Sequence, residues 1–518
     1  MYANLLSASL FGLDGTLVAV ETDLSSGMPA FTVVGLPDAA VKEARERIRA
    51  ALMNSGQPFP MKRITVNLSP ADTRKEGTHF DLPIALGILR AEGVLTEKFR
   101  QWQMCAFFGE LSLEGKLVPI RGALPLAITL RERGIRKLVL PEGNLKEVQI
   151  LEDMEFYPAD SLNTLLKLLE QPDPALFCIQ GGRSQCHKIS ETTQESLDFS
   201  QVCGQAQAKR AFQISASGGH SLLMIGPPGA GKTMMAQRLP GILPTPRYEE
   251  VLEITKIYSI AGELPENGGI MNVRPFRAPH HTISAAALAG GGNRPRPGEI
   301  SLAHGGVLFL DEFPEFSRRV LETLRQPLEE KRIVISRAAG TAIFPADFLM
   351  IAACNPCPCG YYKDGTDRCQ CSATEIRKYL AKLSGPLLDR IDLHLVLERV
   401  GWEMLNGTEN ASGGNGMTSA QLRETVCRAR KIQAERYRNE TFQCNAQLSA
   451  EGLARYCRMT PDAERLLKHA FEVLRLSARS YRKILVLART VADLQEKDQI
   501  GEMQIAEAIQ YRHPGPID

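Results

Sequence analysis

The feature that most constrains this chain is the octapeptide GPPGAGKT, which spans residues 226–233. The apolar run SLLMI precedes it and MMAQRLPGIL follows it, which predicts a buried strand before the loop and a helix after it. In that setting the glycines let backbone N–H groups turn toward a phosphate chain, and the helix amino terminus adds a positive dipole end. The segment therefore predicts a phosphate-binding loop at the edge of a parallel α/β sheet.

The residues of this loop have distinct predicted roles. Lys232 is expected to reach the β- and γ-phosphates of ATP, and the Thr233 hydroxyl is expected to coordinate Mg²⁺. ATP and Mg²⁺ are therefore the predicted cofactors. The predicted ATP-binding residues are Gly226, Pro227, Pro228, Gly229, Ala230, Gly231, Lys232 and Thr233.

Two further strand ends carry polar residues that suit nucleotide hydrolysis. The apolar run VLFL ends in Asp311 and Glu312, which predicts one carboxylate for the Mg²⁺ shell and one to polarise the attacking water. The run FLMIAAC ends before Asn355, whose amide could orient that water. Plainer interpretations exist, since apolar strands followed by acids are common and Asn-Pro often forms a turn. The position of the acidic pair after a phosphate loop favours the catalytic interpretation.

Length and local pattern predict several domains. A chain of 518 residues is expected to form roughly three. Alternating strand-like and helical segments predict α/β domains over residues 1–170 and 199–400, and helix-forming sequence predicts a helical lid over 420–518. Polar segments rich in turn residues predict linkers at 171–198 and 401–419.

Charge and hydropathy narrow the possible partners. The formal net charge is only +2, so any nucleic-acid contact must be a local basic patch. The amino terminus lacks a basic segment of the kind that begins a signal peptide, and no apolar run approaches the ~18 residues that span a bilayer. We therefore expect a cytoplasmic protein without a membrane segment.

Longer segments resemble one known family. The resemblance is carried by RPFRAPHHTISAAALAGGG, PGEISLAHGGVLFLDEFPEF, NPCPCGYY and SGPLLDRIDLHL. Together these segments are similar to the YifB/ComM family of magnesium-chelatase-like AAA+ ATPases, and the resemblance covers essentially the whole chain. It implies a P-loop AAA+ core with a parallel sheet, ATP hydrolysis, and assembly into a ring that is expected to be a homo-hexamer.

The resemblance also implies which residues are catalytic. They are Lys232, Glu312, Asn355 at the sensor 1 position, Arg390 and Arg479. Arg390 would be an arginine finger that acts on the nucleotide of a neighbouring subunit, and Arg479 would be sensor 2, with Arg482 as the alternative. The residues alone leave Arg390 open, because its guanidinium could instead pair with Asp389 or Asp392.

Members of the ComM type are regarded as DNA helicases that promote branch migration in recombination during natural transformation. The resemblance thus implies single-stranded or branched DNA as the partner, and candidate DNA contacts are Lys331, Arg332 and Arg337 on a predicted hairpin and Arg274, Arg277, Arg294 and Arg296 on an insert. Solvated surface charge is the plainer interpretation of these residues. A chelatase-like ATPase that remodels a partner protein for metal insertion is the alternative function, although the chain has no D-x-S-x-S metal-adhesion motif.

The amino-terminal segments GELSLEGKLVPIRG, KLVLPEGN and RKEGTHFDLPIALGIL resemble the S5-like α/β domain of Lon-type proteases. His79 stands at the position of the catalytic serine and Leu124 at that of the lysine. Neither can serve as the hydroxyl nucleophile or the amine base, so we expect a non-proteolytic domain that binds DNA or supports assembly. His79 and Asp81 are expected to be a surface-facing polar pair at the start of a helix.

Five cysteines crowd into residues 354–371. Cys357, Cys359, Cys369 and Cys371 form C-x-C, nine intervening residues and C-x-C, which favours a tetrahedral zinc site over a disulfide, with free thiols as the alternative. Cys354 ends an apolar strand and is expected to be buried. Residues 422–438 predict a helix with one strongly basic side, which is either a solvated face or a contact for DNA or another subunit.

Overall fold

The computed structural model describes residues 1–182, 197–265, 269–292, 295–337, 340–365, 368–383, 385–399 and 417–512. Arg294 and parts of both predicted linkers, residues 183–196 and 401–416, lie outside the described residues. Three regions follow one another along the chain, here named the amino-terminal, central and carboxy-terminal regions. Their sheets and helices confirm the predicted mixed α/β fold class.

The amino-terminal region is built on an eight-stranded mixed sheet in the order β10-β9-β8-β5-β1-β2-β4-β3. The strands of the region are β1 Tyr2–Phe11, β2 Asp14–Ser25, β3 Ala30–Val34, β4 Arg63–Ser69, β5 Cys105–Phe107, β6 Glu110–Leu111, β7 Leu117–Val118, β8 Lys137–Pro141, β9 Glu155–Ala159 and β10 Ile179–Gln180, and β6 and β7 pair with each other outside the large sheet. Its helices are α1 Ala39–Lys42, α2 Ala44–Asn54, α3 Asp81–Glu92, α4 Ala123–Glu132, α5 Leu145–Val148 and α6 Leu162–Leu169. β10 pairs with β9 although it lies within the segment predicted as a linker.

The central region holds a five-stranded sheet in the order β12-β15-β18-β11-β19, and all of its paired strands are parallel. The strands are β11 Leu222–Ile225, β12 Phe276–Arg277, β13 Gly290–Gly291, β14 Arg296–Pro297, β15 Val307–Leu310, β16 Arg332–Arg337, β17 Gly340–Pro345, β18 Leu349–Cys354 and β19 Leu393–Val396. The helices are α7 Ala206–Gly218, α8 Lys232–Ile242, α9 Tyr248–Ala261, α10 Ala285–Ala289, α11 Glu299–Leu302, α12 Arg318–Thr323, α13 Arg325–Glu330, α14 Ala373–Leu380 and α15 Gly385–Leu388. Because its strands run parallel, the carboxyl ends of β11, β15 and β18 meet at one edge.

The carboxy-terminal region is helical. It comprises α16 Ser419–Arg436, α17 Ala450–Tyr456, α18 Pro461–Val473, α19 Ala478–Leu494 and α20 Glu502–Gln510. Its buried side chains, such as Val426 and Ile484, belong to the same hydrophobic cluster as Phe212 and Leu222 of the central region. The two regions therefore share one core and are expected to move as one body.

Local sequence explains where these helices begin. Ser372 and Glu375 form a capping box at the start of α14, and Thr418 and Gln421 form one at the start of α16. Ser477 caps α19 by accepting a hydrogen bond from a backbone N–H of the first turn. Such caps satisfy amide groups that have no partner within the helix, so each stabilises its helix start by about 1 kcal/mol.

Contacts between the amino-terminal and central regions include one on α9 and one on the β16–β17 hairpin. The Ser259 hydroxyl of α9 donates to Glu147 Oε2 at 2.7 Å. Phe11, beside the β1–β2 turn, packs at the tip of the β16–β17 hairpin, where a Cβ on Gly340 would lie 2.9 Å from the Phe11 ring. Among the described helices, none is both long and apolar enough to cross a membrane.

Candidate nucleotide site and cysteine cluster

The phosphate loop (residues 226–233) connects β11 to α8. Gly229 and Gly231 have φ angles of 81° and 82°, in the left-handed region that side chains with a Cβ rarely adopt. Gly231 is the residue before α8, so the loop ends at the amino terminus of that helix. This is the strand–loop–helix setting that the sequence predicts, and it suits an anionic ligand.

Lys232 is held by neutral oxygens of its own surroundings. Its ammonium donates to the carbonyl of Gly226 at 2.6 Å, to that of Pro227 at 3.0 Å and to Asn355 Oδ1 at 3.0 Å. Burial lowers the pKa of the ammonium, and none of these three partners carries a charge. An arriving phosphate would therefore find a desolvated cation that lacks a counter-ion among these partners, which favours binding of an anion.

Thr233 and Asp311 lie together at the same edge. The Thr233 hydroxyl donates to Asp311 Oδ2 at 2.7 Å. Two adjacent oxygen ligands of octahedral Mg²⁺ are about 2.9 Å apart when the metal–oxygen distance is near 2.05 Å. The two oxygens therefore fit a shared Mg²⁺ shell, as the sequence predicts.

Glu312 has an unexpected neighbour. It adopts a left-handed backbone conformation with φ 50°, and its side chain is 55% exposed. His281, on the insert between β12 and β15, places Nδ1 2.9 Å from Glu312 Oε2. This histidine is not predictable from the sequence, because the HH pair in RAPHHT carries no spacing that would assign it a carboxylate partner.

Arg390 and Arg479, here called the arginine pair, converge on one carboxylate. Arg390 Nη2 lies 2.6 Å from Glu329 Oε1, and Arg479 Nη2 lies 2.9 Å from the same oxygen. Arg482, the alternative sensor 2 candidate, instead donates to the carbonyl of Leu448. The structure therefore brings the two predicted arginines to one place, although they are far apart in sequence.

The arginine pair does not meet the phosphate loop of its own chain. Ser221 immediately precedes β11, and its hydroxyl donates to the carbonyl of Arg390 at 3.3 Å. The phosphate loop follows the other end of β11, whose four residues span about 13 Å. The backbone of Arg390 thus lies at the end of β11 opposite the phosphate loop.

The alternative ion pairs considered for Arg390 do not form among the described residues. Neither Asp389 nor Asp392 lies within ion-pair distance of it; its partner is Glu329. Asp392 is buried beside Lys483 and His220. Burial alone would raise the pKa of Asp392, but these two neighbours hold it well below its usual range.

The three hairpin residues predicted to contact DNA do not form one patch. Lys331 pairs with Asp347 at 3.2 Å, and Arg332 pairs with Glu330 at 3.2 Å. Arg337 lies at the other end of β16, opposite the start of β17. Six strand residues separate the two ends by roughly 17–20 Å, so only Arg337 lies near the hairpin tip.

Two arginines of the insert are engaged within the chain. Arg274 is largely buried, with 14% of its side chain exposed; it pairs with Glu250 at 3.2 Å, and burial lowers its pKa. Arg277 lies 2.7 Å from Glu299, and this hydrogen bond raises its pKa. Both arginines are therefore engaged in ion pairs within the chain, and their contact with DNA stays a prediction.

The basic helix α16 also uses part of its charge internally. Arg436 lies 2.5 Å from the buried Asp493, Arg430 donates to the carbonyl of Ala216 at 3.0 Å, and Arg428 lies 3.1 Å from Glu496. Part of the basic side therefore anchors the helix to its own chain.

His79 and Asp81 are buried, so the expectation of a surface-facing pair was wrong. Burial lowers the pKa of His79 to about 4, and its Nε2 lies 2.8 Å from the carbonyl of Ala8. Burial also raises the pKa of Asp81 to about 6, despite its ion pair with Arg47 at 2.8 Å. Leu124 is fully buried. The cause is tertiary, since Arg47 from α2 supplies a partner that lets Asp81 enter the core.

The four cysteines predicted to bind zinc converge. All four sulfur atoms lie within 4.8 Å of one another, and three Sγ–Sγ distances, all among Cys357, Cys359 and Cys369, are 3.3, 3.9 and 3.7 Å. Tetrahedral zinc with Zn–S bonds near 2.3 Å requires sulfurs about 3.8 Å apart, so the thiols fit this metal. Cys354 is buried as expected, and burial raises its pKa to about 12.

The cysteine cluster also touches the phosphate loop, which the sequence did not predict. Gly360 lies between Cys359 and Cys369 in the sequence and has a φ angle of 87°. A Cβ added there would lie 2.7 Å from Cδ and 2.8 Å from Cγ of Pro228. The chain can approach Pro228 this closely only because residue 360 is glycine.

Comparisons with known proteins agree with this geometry. The family model described as "Magnesium chelatase, subunit ChlI" matches residues 198–405, "Subunit ChlI of Mg-chelatase" matches 20–144, and "Magnesium chelatase, subunit ChlI C-terminal" matches 416–512. The archaeal Lon protease of Thermococcus kodakarensis is 27% identical over 27% of this chain and 22% of its own length.

Two relatives match over nearly their full length. The competence protein ComM of Haemophilus influenzae is 43% identical over 98% of this chain and 97% of its own. The uncharacterized protein YifB of Escherichia coli is 39% identical over 97% of this chain and 95% of its own. With the phosphate loop, the acidic strand end and the parallel sheet in place, the chain belongs to the YifB/ComM family of magnesium-chelatase-like AAA+ ATPases.

Proposed function

We propose that this protein is a ring-forming, ATP-driven DNA motor, and specifically a helicase that promotes branch migration in homologous recombination during natural transformation. One observation carries the ring: the backbone of Arg390, one of the arginine pair, lies at the end of β11 opposite the phosphate loop of its own chain. A second copy can supply these guanidiniums to a γ-phosphate. A homo-hexamer that acts in the cytoplasm is the assembly we propose.

Within each site, the residues divide the work of hydrolysis. Lys232 and the loop amides bind the phosphates, while Thr233 and Asp311 hold Mg²⁺, which neutralises developing charge on the phosphate oxygens. Glu312 polarises the attacking water, and Asn355 orients it. Arg390 of the neighbouring copy stabilises the transition state as an arginine finger, with Arg479 of that copy as sensor 2.

The DNA substrate is supported by the relative named a competence protein and by the exposed Arg337 at the end of β16. We propose that Arg337 contacts the phosphate backbone first, with Lys331 and Arg332 joining if the hairpin moves away from Asp347 and Glu330. The amino-terminal region, with His79 and Leu124 buried where a protease would need its catalytic groups, acts as a non-proteolytic platform that braces the hairpin through Phe11.

A chelatase-like ATPase that remodels a partner protein for metal insertion is the second candidate. It is favoured by the family models, which match three parts of the chain under the name of a magnesium chelatase subunit. The two candidates differ in what stimulates hydrolysis, since a DNA motor needs no protein partner to respond to DNA.

The decisive experiment measures ATP hydrolysis with and without single-stranded DNA and four-way-junction DNA, together with strand displacement. We expect the wild type to be stimulated by DNA and to displace strands, and Glu312→Gln to bind ATP but to do neither. Glu315→Gln is the matched control, because this nearby carboxylate pairs with Lys382 at 3.1 Å. A hydrolysis rate that neither DNA form changes, together with no strand displacement, would reject the DNA motor.

The cysteine cluster is proposed to hold zinc. Metal analysis of the purified protein should find about one equivalent of zinc, and Cys369→Ser should lose it. Cys427→Ser serves as the control, because Cys427 is exposed and lies on α16. Equal zinc content in all three proteins would contradict the site.

A further inference from the structure

Glu329 is placed where it can occupy the arginine pair in place of a phosphate. One oxygen, Oε1, accepts from Arg390 at 2.6 Å and from Arg479 at 2.9 Å. Two positive charges thus face one negative charge. Guanidiniums that converge on an anionic oxygen form the arrangement by which proteins bind phosphate, so the carboxylate stands in for a phosphate oxygen.

This contact is more ordered than an ordinary surface ion pair. The Arg390 side chain is only 16% exposed, and Arg390 also donates to the carbonyl of Pro386 at 2.6 Å. The Glu329 side chain is 48% exposed, so it can leave without opening a buried core. The arginine end is therefore held while the carboxylate end is replaceable.

The position of Glu329 links this contact to the hairpin. It lies in α13, one residue before that helix ends at Glu330. Lys331 then turns the chain with φ 57°, and β16 begins at Arg332. A displacement of the hairpin by a bound partner is transmitted to Glu329 through only two residues.

We propose that Glu329 is an internal substitute for the γ-phosphate of the neighbouring subunit, which keeps the arginine pair occupied until the hairpin is engaged. This regulation rests on the proposed function. In a ring with ATP but without DNA, Glu329 competes with the neighbour's phosphate for the two guanidiniums. Engagement of the hairpin withdraws the carboxylate and frees the arginine pair for the phosphate.

The test compares wild type with Glu329→Gln, which keeps the shape of the side chain and removes its charge. We expect the ATPase rate without DNA to rise about fivefold, the factor corresponding to the upper range for an exposed ion pair, while the DNA-stimulated rate stays the same. The ratio of the two rates should fall by that factor. Glu322→Gln is the matched control, because it lies on the preceding helix and pairs with Arg325.

Two further measurements keep the test separate from the proposed function. In an Arg390→Ala background, where hydrolysis is already low, Glu329→Gln should raise the DNA-free rate by less than it does in wild type, since the contact with Arg390 is absent and only that with Arg479 is left to remove. ATP-dependent ring assembly should need a lower protein concentration for Glu329→Gln, and this readout stands even if wild type proves unresponsive to DNA. The role of Glu329 would be overturned if Glu329→Gln changed neither the ATPase rate without DNA nor the protein concentration at which half of the rings assemble. It would also be overturned if the ATPase rates with and without DNA fell equally.

Discussion

We expect Glu147 to make the contact between the amino-terminal and central regions sensitive to pH. Its carboxyl is almost fully buried, and burial raises its pKa from 4.5 to about 7, even though Ser259 and Asn144 donate hydrogen bonds that favour the charged form. The shift of roughly 2.5 pKa units corresponds to about 3 kcal/mol between the two protonation states.

The sign follows from the direction of the shift. Because the folded protein holds the proton more tightly than the unfolded chain, the neutral carboxyl contributes its full stability below pH 4.5. That contribution is lost as the pH rises to about 7 and stays lost above it. We therefore expect the free energy of unfolding of the amino-terminal region to fall by about 3 kcal/mol, relative to Glu147→Gln, across this window.

The assay is urea unfolding of wild type and Glu147→Gln at several pH values between 4.5 and 8. The chain has two tryptophans, so a Trp402→Phe background leaves Trp102, which is buried in the amino-terminal region, as the only indole reporter. The difference in unfolding free energy between the two proteins cancels all other titrating groups. A difference that stays constant from pH 4.5 to 8 would show that Glu147 is not neutral in the folded protein and would refute the reasoning.

Three other substitutions test the site. Gly360→Ala should weaken ATP binding about tenfold, because a Cβ 2.7 Å from Pro228 would displace the phosphate loop at a cost of about 1–3 kcal/mol. Titration with a fluorescent nucleotide measures the affinity, and the zinc content should not change. Arg390→Ala should lower the hydrolysis rate by about 10³ while ATP still binds. Mixing this variant with Lys232→Ala protein should restore activity, because one variant supplies Lys232 and the other supplies Arg390 to a shared site; a site contained in one chain could not be restored in this way. Arg337→Ala should reduce the slope of log affinity for DNA against log salt by about 1, as expected when one phosphate contact is lost; an unchanged slope would remove Arg337 from the DNA surface.

The nucleotide site was predictable because its residues obey a rule of topology. In a parallel sheet, the residues that follow neighbouring strands meet at one edge, so the sequence positions of Thr233, Asp311 and Asn355 already imply proximity. The contact of Thr233 with Asp311 and that of Lys232 with Asn355 bear out this geometry. Their catalytic roles stay predictions until hydrolysis is measured.

The contacts of the arginine pair could not be predicted in the same way. Arg479 and Glu329 are separated by 150 residues, and both are on the surface of helices whose packing depends on the shared hydrophobic core. Local periodicity predicts that each helix exists, but it carries no information on which charged side chains meet across helices. The prediction that His79 and Asp81 face solvent was wrong for a related reason. A polar pair at a helix start suggests exposure, and local sequence does not show that a distant residue such as Arg47 pairs with Asp81.

The cysteine cluster, the phosphate loop and Asn355 form one mechanical unit. Cys357 follows Asn355 by two residues, so a metal bound at the thiols fixes the backbone from which the Asn355 amide reaches Lys232 at 3.0 Å. Gly360, which follows Cys359, packs closely against Pro228 of the phosphate loop. Since a metal-stapled loop has fewer conformations than a free one, zinc at the cluster would hold both Asn355 and the loop in place before ATP arrives. Loss of the metal should therefore weaken nucleotide binding.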